Sequence, residues 1–159
     1  MVQYNPENFC KRFELSVESK KESLNVVLSW FDNSISTYIP DKILWECKLA
    51  LTEGFTNAIY HAHKDLSKGT PIGLNLILTD RYLVMEIWDQ GVFFDLAAEL
   101  KFLEENPPNP FKDEHRRGLL FMRKLTDELD YFSNSQARNC LRMFKKLDFC
   151  NCSLDEPSS

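Results

Sequence analysis

The sequence predicts an α+β fold, a two-layer sandwich in which a mixed, mostly antiparallel sheet carries helices on one face. Three observations predict it. Apolar residues recur at helical spacing through residues 20–64. Two strand-like runs, at 71–79 and 81–89, are separated by a short polar turn. A helical stretch after Gly118 leads into two further strands.

The first strand is read at Phe13-Glu14-Leu15-Ser16-Val17, where apolar and polar residues alternate as on a half-buried strand. Glu18-Ser19 can start a helix, and Leu24, Leu28, Phe31 and Ile35 give it one apolar stripe, so the first helix is expected over roughly Lys20 to Thr37. A second begins at Pro40-Asp41, where Pro suits a first turn, and runs to about Lys64 with Leu44, Cys47, Leu51 and Ala58 inward. Pro71 to Thr79 and Arg81 to Asp89 then pair as an antiparallel hairpin. In its second strand Leu83, Met85, Ile87 and Asp89 share a face, so the alternation that buries three apolar side chains also aims a carboxylate inward.

From Gly91 to Gly118 the chain is read as a long mobile loop, because Asn106-Pro107-Pro108-Asn109-Pro110 at its centre suits neither helix nor internal strand. Leu119, Met122, Leu125 and Leu129 mark a third helix. Strands follow near Asp130 to Asn134 and at Leu141 to Leu147, and the polar tail from Asp148 is expected to fray.

With 159 residues, 43% of them hydrophobic, the chain has material for one core and too little length for two ordinary domains. A single domain over residues 1–147 with a disordered tail at 148–159 is expected. The net charge of −5, with no run of Lys and Arg, argues against a nucleic-acid partner. No apolar stretch of about 20 residues exists, and Met1-Val2-Gln3-Tyr4-Asn5-Pro6-Glu7 lacks the features of a signal peptide, so a cytoplasmic protein without membrane contact is expected. Cys10, Cys47, Cys140, Cys150 and Cys152 are scattered and odd in number, as thiols of a reducing compartment would be. Cys150 and Cys152 lack neighbours in sequence that would complete a tetrahedral metal site.

Glu53, Asn57 and His61 are spaced at four on the second helix and so share one face. Such a triplet alone is equally a solvated helix surface. Its combination with two later clusters carries more. Glu53-x-x-x-Asn57-Ala58-x-x-His61, then Asp89-x-Gly91-x-x-Phe94-Asp95, then Arg117-Gly118-Leu119-Leu120-x-Met122 resemble, in order and separation, the N, G1 and G2 boxes of the GHKL ATPases. Arg123-Lys124-Leu125-Thr126-Asp127 and Asn139-x-Leu141-x-Met143-x-Lys145 are similar to the anti-sigma-factor serine/threonine kinase branch of that family. The resemblance extends from about Phe13 to Leu147.

The resemblance implies a histidine-kinase-like ATP-binding fold that uses ATP and Mg²⁺, with Asn57 as the metal ligand, an amide oxygen being a hard neutral donor. It implies Glu53 as catalytic base and a nucleotide site formed by Asn57, His61, Asp89, Gly91, Phe94, Arg117, Gly118 and Leu119. Asp89 would accept a hydrogen bond from the adenine amine, Gly91 would leave room for the ring with unusual backbone angles, and Gly118 would present a helix N-terminus to the phosphates. The implied substrate is a Ser or Thr of a small STAS-type anti-sigma-factor antagonist. A sigma factor and a homodimer are further implied partners. Where relatives carry more glycines before Arg117, this chain has Glu114, His115 and Arg116, and Phe93 and Phe94 follow where a second G1 glycine is usual. Those departures support an alternative, a non-catalytic or weakly nucleotide-binding module that sequesters a protein partner.

Overall fold

The computed structural model describes residues 10–109 and 111–147. The expected tail at 148–159, with Cys150 and Cys152, lies outside the described residues, as do Met1 to Phe9 and Pro110. Along the chain run β1 (Cys10–Glu18), α1 (Ser23–Ile35), α2 (Asp41–Asn57), a π-helical turn (Ala58–Ala62), β2 (Pro71–Thr79), β3 (Tyr82–Asp89), α3 (Leu96–Glu105), α4 (Glu114–Leu125), β4 (Glu128–Ser133) and β5 (Asn139–Lys146). The five strands form one sheet in the order β1-β2-β3-β5-β4. The α+β sandwich is as expected, and every pairing among the described strands is antiparallel.

One face of the sheet presents Leu15, Leu74, Met85, Ile87 and Met143 to the helices. Against it α1 lays Val27, Phe31 and Ile35, and α2 lays Cys47, Ala50, Leu51 and Phe55, each set recurring every three or four residues. The opposite face carries a smaller cluster of Ile77, Tyr82, Val84 and Phe144. Between them the β2–β3 turn is closed by Thr79, whose hydroxyl accepts the Arg81 and Tyr82 N–H groups at 3.2 and 3.1 Å. No disulfide joins Cys10, Cys47 and Cys140.

Three expectations need correction. The segment 91–118 holds a helix, α3, capped by Asp95, whose Oδ1 accepts the Ala98 N–H at 3.0 Å, and seated through buried Leu96, Leu100 and Leu103. The prolines end it rather than forbid it. Leu129 belongs to β4 and not to the preceding helix, which stops at Leu125 where the Thr126 hydroxyl bonds back to the Met122 carbonyl at 2.6 Å. Finally, α4 opens at Glu114, a full turn before Gly118.

Core burial gives a direct test. Phe55 has no exposed surface and its replacement by Ala should lower stability by about 3–5 kcal/mol in urea unfolding. Trp45, 64% exposed on the same helix, should tolerate Ala within about 0.5 kcal/mol. Equal losses at the two positions would contradict this packing.

Candidate functional site

The C-terminal end of α2, the end of β3, the segment after it and the middle of α4 converge on one cavity of about 570 Å³. Asn57 and His61 line it from α2 and its π-helical turn, Asp89 from β3, Phe94 from the following segment and Leu119 from α4. Five sequence-predicted residues therefore meet. Glu53, Gly91, Arg117 and Gly118 lie outside the lining, beside it.

Asp89 is 4% exposed, and its charge is compensated by three donors. Oδ1 accepts the Gly91 N–H at 2.9 Å and the Asn139 amide at 2.9 Å, and Oδ2 accepts the Tyr131 hydroxyl at 2.9 Å. Asn139 is itself fixed, since its Nδ2 also donates to the Gly91 carbonyl at 2.8 Å and its Oδ1 accepts the Ser133 hydroxyl at 2.7 Å. β5 and β4 thus deliver Asn139 and Tyr131 to the end of β3 through the register that pairs Asp89 with Asn139 and Tyr131 with Leu141.

Gly91 is needed for space. A Cβ there would stand 2.2 Å from the Ala62 carbonyl oxygen, so backbone meets backbone between this loop and the π-helical turn. Among the described residues no glycine has a positive φ, so the expectation of unusual backbone angles at Gly91 is corrected: close approach selects the residue. His63 reinforces the same junction. Its Nε2 accepts the Gln90 N–H at 2.8 Å, which leaves the proton on Nδ1 to donate to the Ser19 hydroxyl at 3.1 Å. The ring is buried and neutral, its pKa lowered by burial, with the Asp89 carboxylate opposing.

At Gly118 the expectation of a helix start fails, because the open N–H groups of α4 fall at residues 114–116 and Gly118 sits one turn later. There a Cβ would lie 2.6 Å from Glu53 Oε2 and 3.9 Å from Asn57 Oδ1. Gly118 is the point where α4 crosses α2 against those two side chains. Burial raises the Glu53 pKa, Glu114 adds to the rise, and Arg117 opposes it. Arg117 Nε is buried with no hydrogen-bond partner among the described residues. Burial also lowers the His61 pKa, with the Lys64 charge adding to the effect. On the outer side α3 is tied to α4 by Arg116, which lies 3.7 Å from Glu99 and over the Phe102 ring.

The sequence reading singles out neither Tyr131 nor His63, and it names Asn139 only as the first residue of the motif in the last strand. Tyr131 falls in the strand expected near Asp130 to Asn134, but no local signal connects it to Asp89, 42 residues away.

A five-stranded antiparallel sheet with helices packed on one face and a cavity at the helix–sheet junction defines an α+β sandwich class of protein. The chain belongs to the histidine kinase-like ATPase domain family, whose profile matches residues 17–145. It is 32% identical over 93 residues to the serine-protein kinase RsbW of Staphylococcus epidermidis, covering 57% of this chain and 58% of that protein. To the serine-protein kinase RsbW of Bacillus velezensis it is 34% identical over the same coverage. The chain thus matches somewhat over half the length of these curated relatives. Among solved structures it is similar to the RsbU and RsbW domains of Rv1364c from Mycobacterium tuberculosis, with a TM-score of 0.60 and 14% identity over 86% of this chain and 32% of that one. It is also similar to a chain of the SiaB–SiaC complex from Pseudomonas aeruginosa, with a TM-score of 0.56 and 9% identity over 85% of this chain and 89% of that one. At these identities the solved structures speak to the fold alone. No described helix is long and apolar enough to cross a membrane.

The buried neutral His63 makes stability depend on pH with a definite sign. Its folded pKa lies below the unfolded value, so its contribution is complete above about 6.5 and is lost as pH falls through the folded pKa. Urea unfolding at pH 7.5 and 5.0 should show wild type losing stability on acidification, by up to about 1.4 kcal/mol per pH unit from this group. A His63→Gln variant should lose less. Equal slopes for both proteins would exclude the His63 assignment.

Proposed function

We propose that this chain is a serine/threonine protein kinase of the anti-sigma-factor type, transferring the γ-phosphate of ATP to a Ser or Thr of a small STAS-type antagonist protein in a partner-switching system. The observation that carries the reading is the meeting of Glu53, Asn57 and Gly118 where α2 crosses α4, beside a cavity that holds Asp89. A proton acceptor, an amide oxygen and a carboxylate for a base are thereby gathered at one helix end. The similarity to proteins named serine-protein kinases supports it.

The residues fit an adenine nucleotide with Mg²⁺. A cavity of about 570 Å³ lies within the range of small-molecule sites, roughly 300–1,000 Å³. Arg117 Nε is a buried donor suited to an anionic oxygen. Asn57 would hold Mg²⁺, which supplies charge neutralisation at the phosphates when bound. Asp89 would accept the exocyclic amine, with Ile87, Leu119 and Leu141 as apolar walls. Glu53, its pKa raised toward neutrality, would take the proton from the attacking hydroxyl, and Arg117 would steady the phosphate charge. Segment 92–117, braced by the Arg116–Glu99 pair, would cover the nucleotide. A sigma factor and a second copy of the chain are the further partners this reading includes.

One observation favours a second reading, a module that sequesters a partner without catalysis. No glycine lies between Gly91 and Gly118, and residues 114–117 form the first turn of α4 where a phosphate-wrapping loop would need small residues. Calorimetric titration with ATP, with and without Mg²⁺, separates the two. Magnesium-dependent binding is expected for wild type, with the dependence abolished in Asn57→Ala and affinity at least about tenfold lower in Asp89→Asn. No binding by wild type up to millimolar ATP would overturn the kinase reading and leave the sequestering module.

A further inference from the structure

Two sets of opposite charges lie on the face of the sheet turned away from the helices, and only one is closed into a pair. Glu86, 6% exposed, takes Arg142 on Oε1 through Nε at 2.9 Å and Nη2 at 2.8 Å. Its Oε2 takes the Asn75 amide at 3.1 Å and the Trp88 indole N–H at 3.2 Å. Both oxygens are filled, and the Arg142 guanidinium also lies over the Phe132 ring, 4.7 Å from its centroid. That pair leaves nothing for a ligand.

The second set is open. Glu14, Trp88, Asn134 and Arg138 line a cavity of about 550 Å³ that runs from β1 to the turn between β4 and β5. The turn fixes Arg138: Asn134 Oδ1 accepts the Gln136 and Arg138 N–H groups, both at 3.0 Å, and the Asn134 N–H donates to the Arg138 carbonyl at 2.8 Å. Ala137 meanwhile holds a left-handed φ of 55°, a costly conformation for a residue with a Cβ. A Cβ at Gly73 would lie 3.5 Å from Arg138 Nη2, so the guanidinium rests over bare backbone. Its Nε is buried with no hydrogen-bond partner among the described residues. Glu14 is exposed on the same cavity, yet among the described residues neither side chain takes part in an ion pair, with the other or with any third group.

We infer that this cavity is a second ligand site and that it takes a small zwitterion, a carboxylate on Arg138 and an ammonium group on Glu14, the chemistry of a free amino acid. The Nε–H and the neighbouring Nη2 of one guanidinium form the fork that a carboxylate accepts in bidentate fashion, and such a carboxylate gives the orphaned Nε donor its acceptor. A ligand with only a negative charge also faces Glu14, and one with only a positive charge faces Arg138. A ligand with both satisfies both walls at once, while the Trp88 side chain offers its carbon chain an apolar surface. The inference is independent of the nucleotide reading, since this cavity and the one holding Asp89 share no lining residue.

The test is a ¹H–¹⁵N NMR titration of the full chain at low salt, reading the Arg138 Nε–H and Trp88 indole N–H signals. The probes are acetate and, with increasing separation of the two charges, glycine, β-alanine, 4-aminobutyrate and 6-aminohexanoate. At least one amino acid should shift the Arg138 signal and bind at least about threefold more tightly than acetate. Glu14→Gln should remove that preference and leave acetate binding in place. Arg138→Gln should abolish binding of every probe, read at Trp88. Neither side chain has an ion pair to lose, so urea unfolding of both variants should match wild type. An Arg138 signal that stays in place with every probe up to about 100 mM overturns the inference. So does acetate binding as tightly as the best amino acid, or binding that survives Arg138→Gln.

Discussion

A single buried carboxylate organises this molecule. Asp89 ends the central strand with its side chain turned into the helix–sheet junction, and a charge in that position must be surrounded by donors or forfeit several kcal/mol of solvation. Gly91, Asn139 and Tyr131 meet the requirement, and meeting it fixes much else. The loop after β3 must turn back at once to present the Gly91 N–H. The same turn drives Gly91 against the Ala62 carbonyl, where only glycine fits. His63 then ties the turn to the residue that follows β1, through Gln90 and Ser19. The order β3-β5-β4 brings Asn139 and Tyr131 to the same point.

The second organising feature is the crossing of α2 and α4 at Gly118. Without a side chain there, α4 approaches until its backbone touches Glu53, which desolvates that carboxylate and raises its pKa while Arg117 tempers the rise. Both features sit at one end of the sandwich. A carboxylate surrounded by three donors and another whose pKa burial raises therefore come from two elements of the same small fold, β3 and α2, and these are the two groups on which the proposed site relies.

Much of this was legible in the sequence because the signals are local. The spacing of Phe31 and Ile35, the short turn after Thr79 and the inward phase of Asp89 depend only on period and turn chemistry, and all appear in the structure, with Val27 buried where Leu28 is expected. The failures have physical causes too. α3 was hidden because prolines at 107, 108 and 110 outweighed a cap at Asp95 and a leucine spacing of four and three. Leu129 continued the helical phase of Met122 and Leu125 by coincidence, and the chain left the helix at Thr126 before reaching it. Gly118 is expected at a helix N-terminus, whereas it lies inside α4 and makes a tertiary contact with a helix more than 60 residues earlier, which no local pattern records. Tyr131 escaped for the same reason.

The phosphoryl transfer from ATP proposed above rests on family membership, the cavity at the end of α2 and the Glu53–Gly118 contact. The most direct measurement is transfer of label from [γ-³²P]ATP, with Mg²⁺, to a small STAS-type antagonist protein of the same organism, wild type beside Glu53→Gln. Label on a Ser or Thr of the partner, reduced at least about a hundredfold by Glu53→Gln, is the result this account requires. Absence of label while the protein binds ATP, or equal labelling by Glu53→Gln, would contradict it.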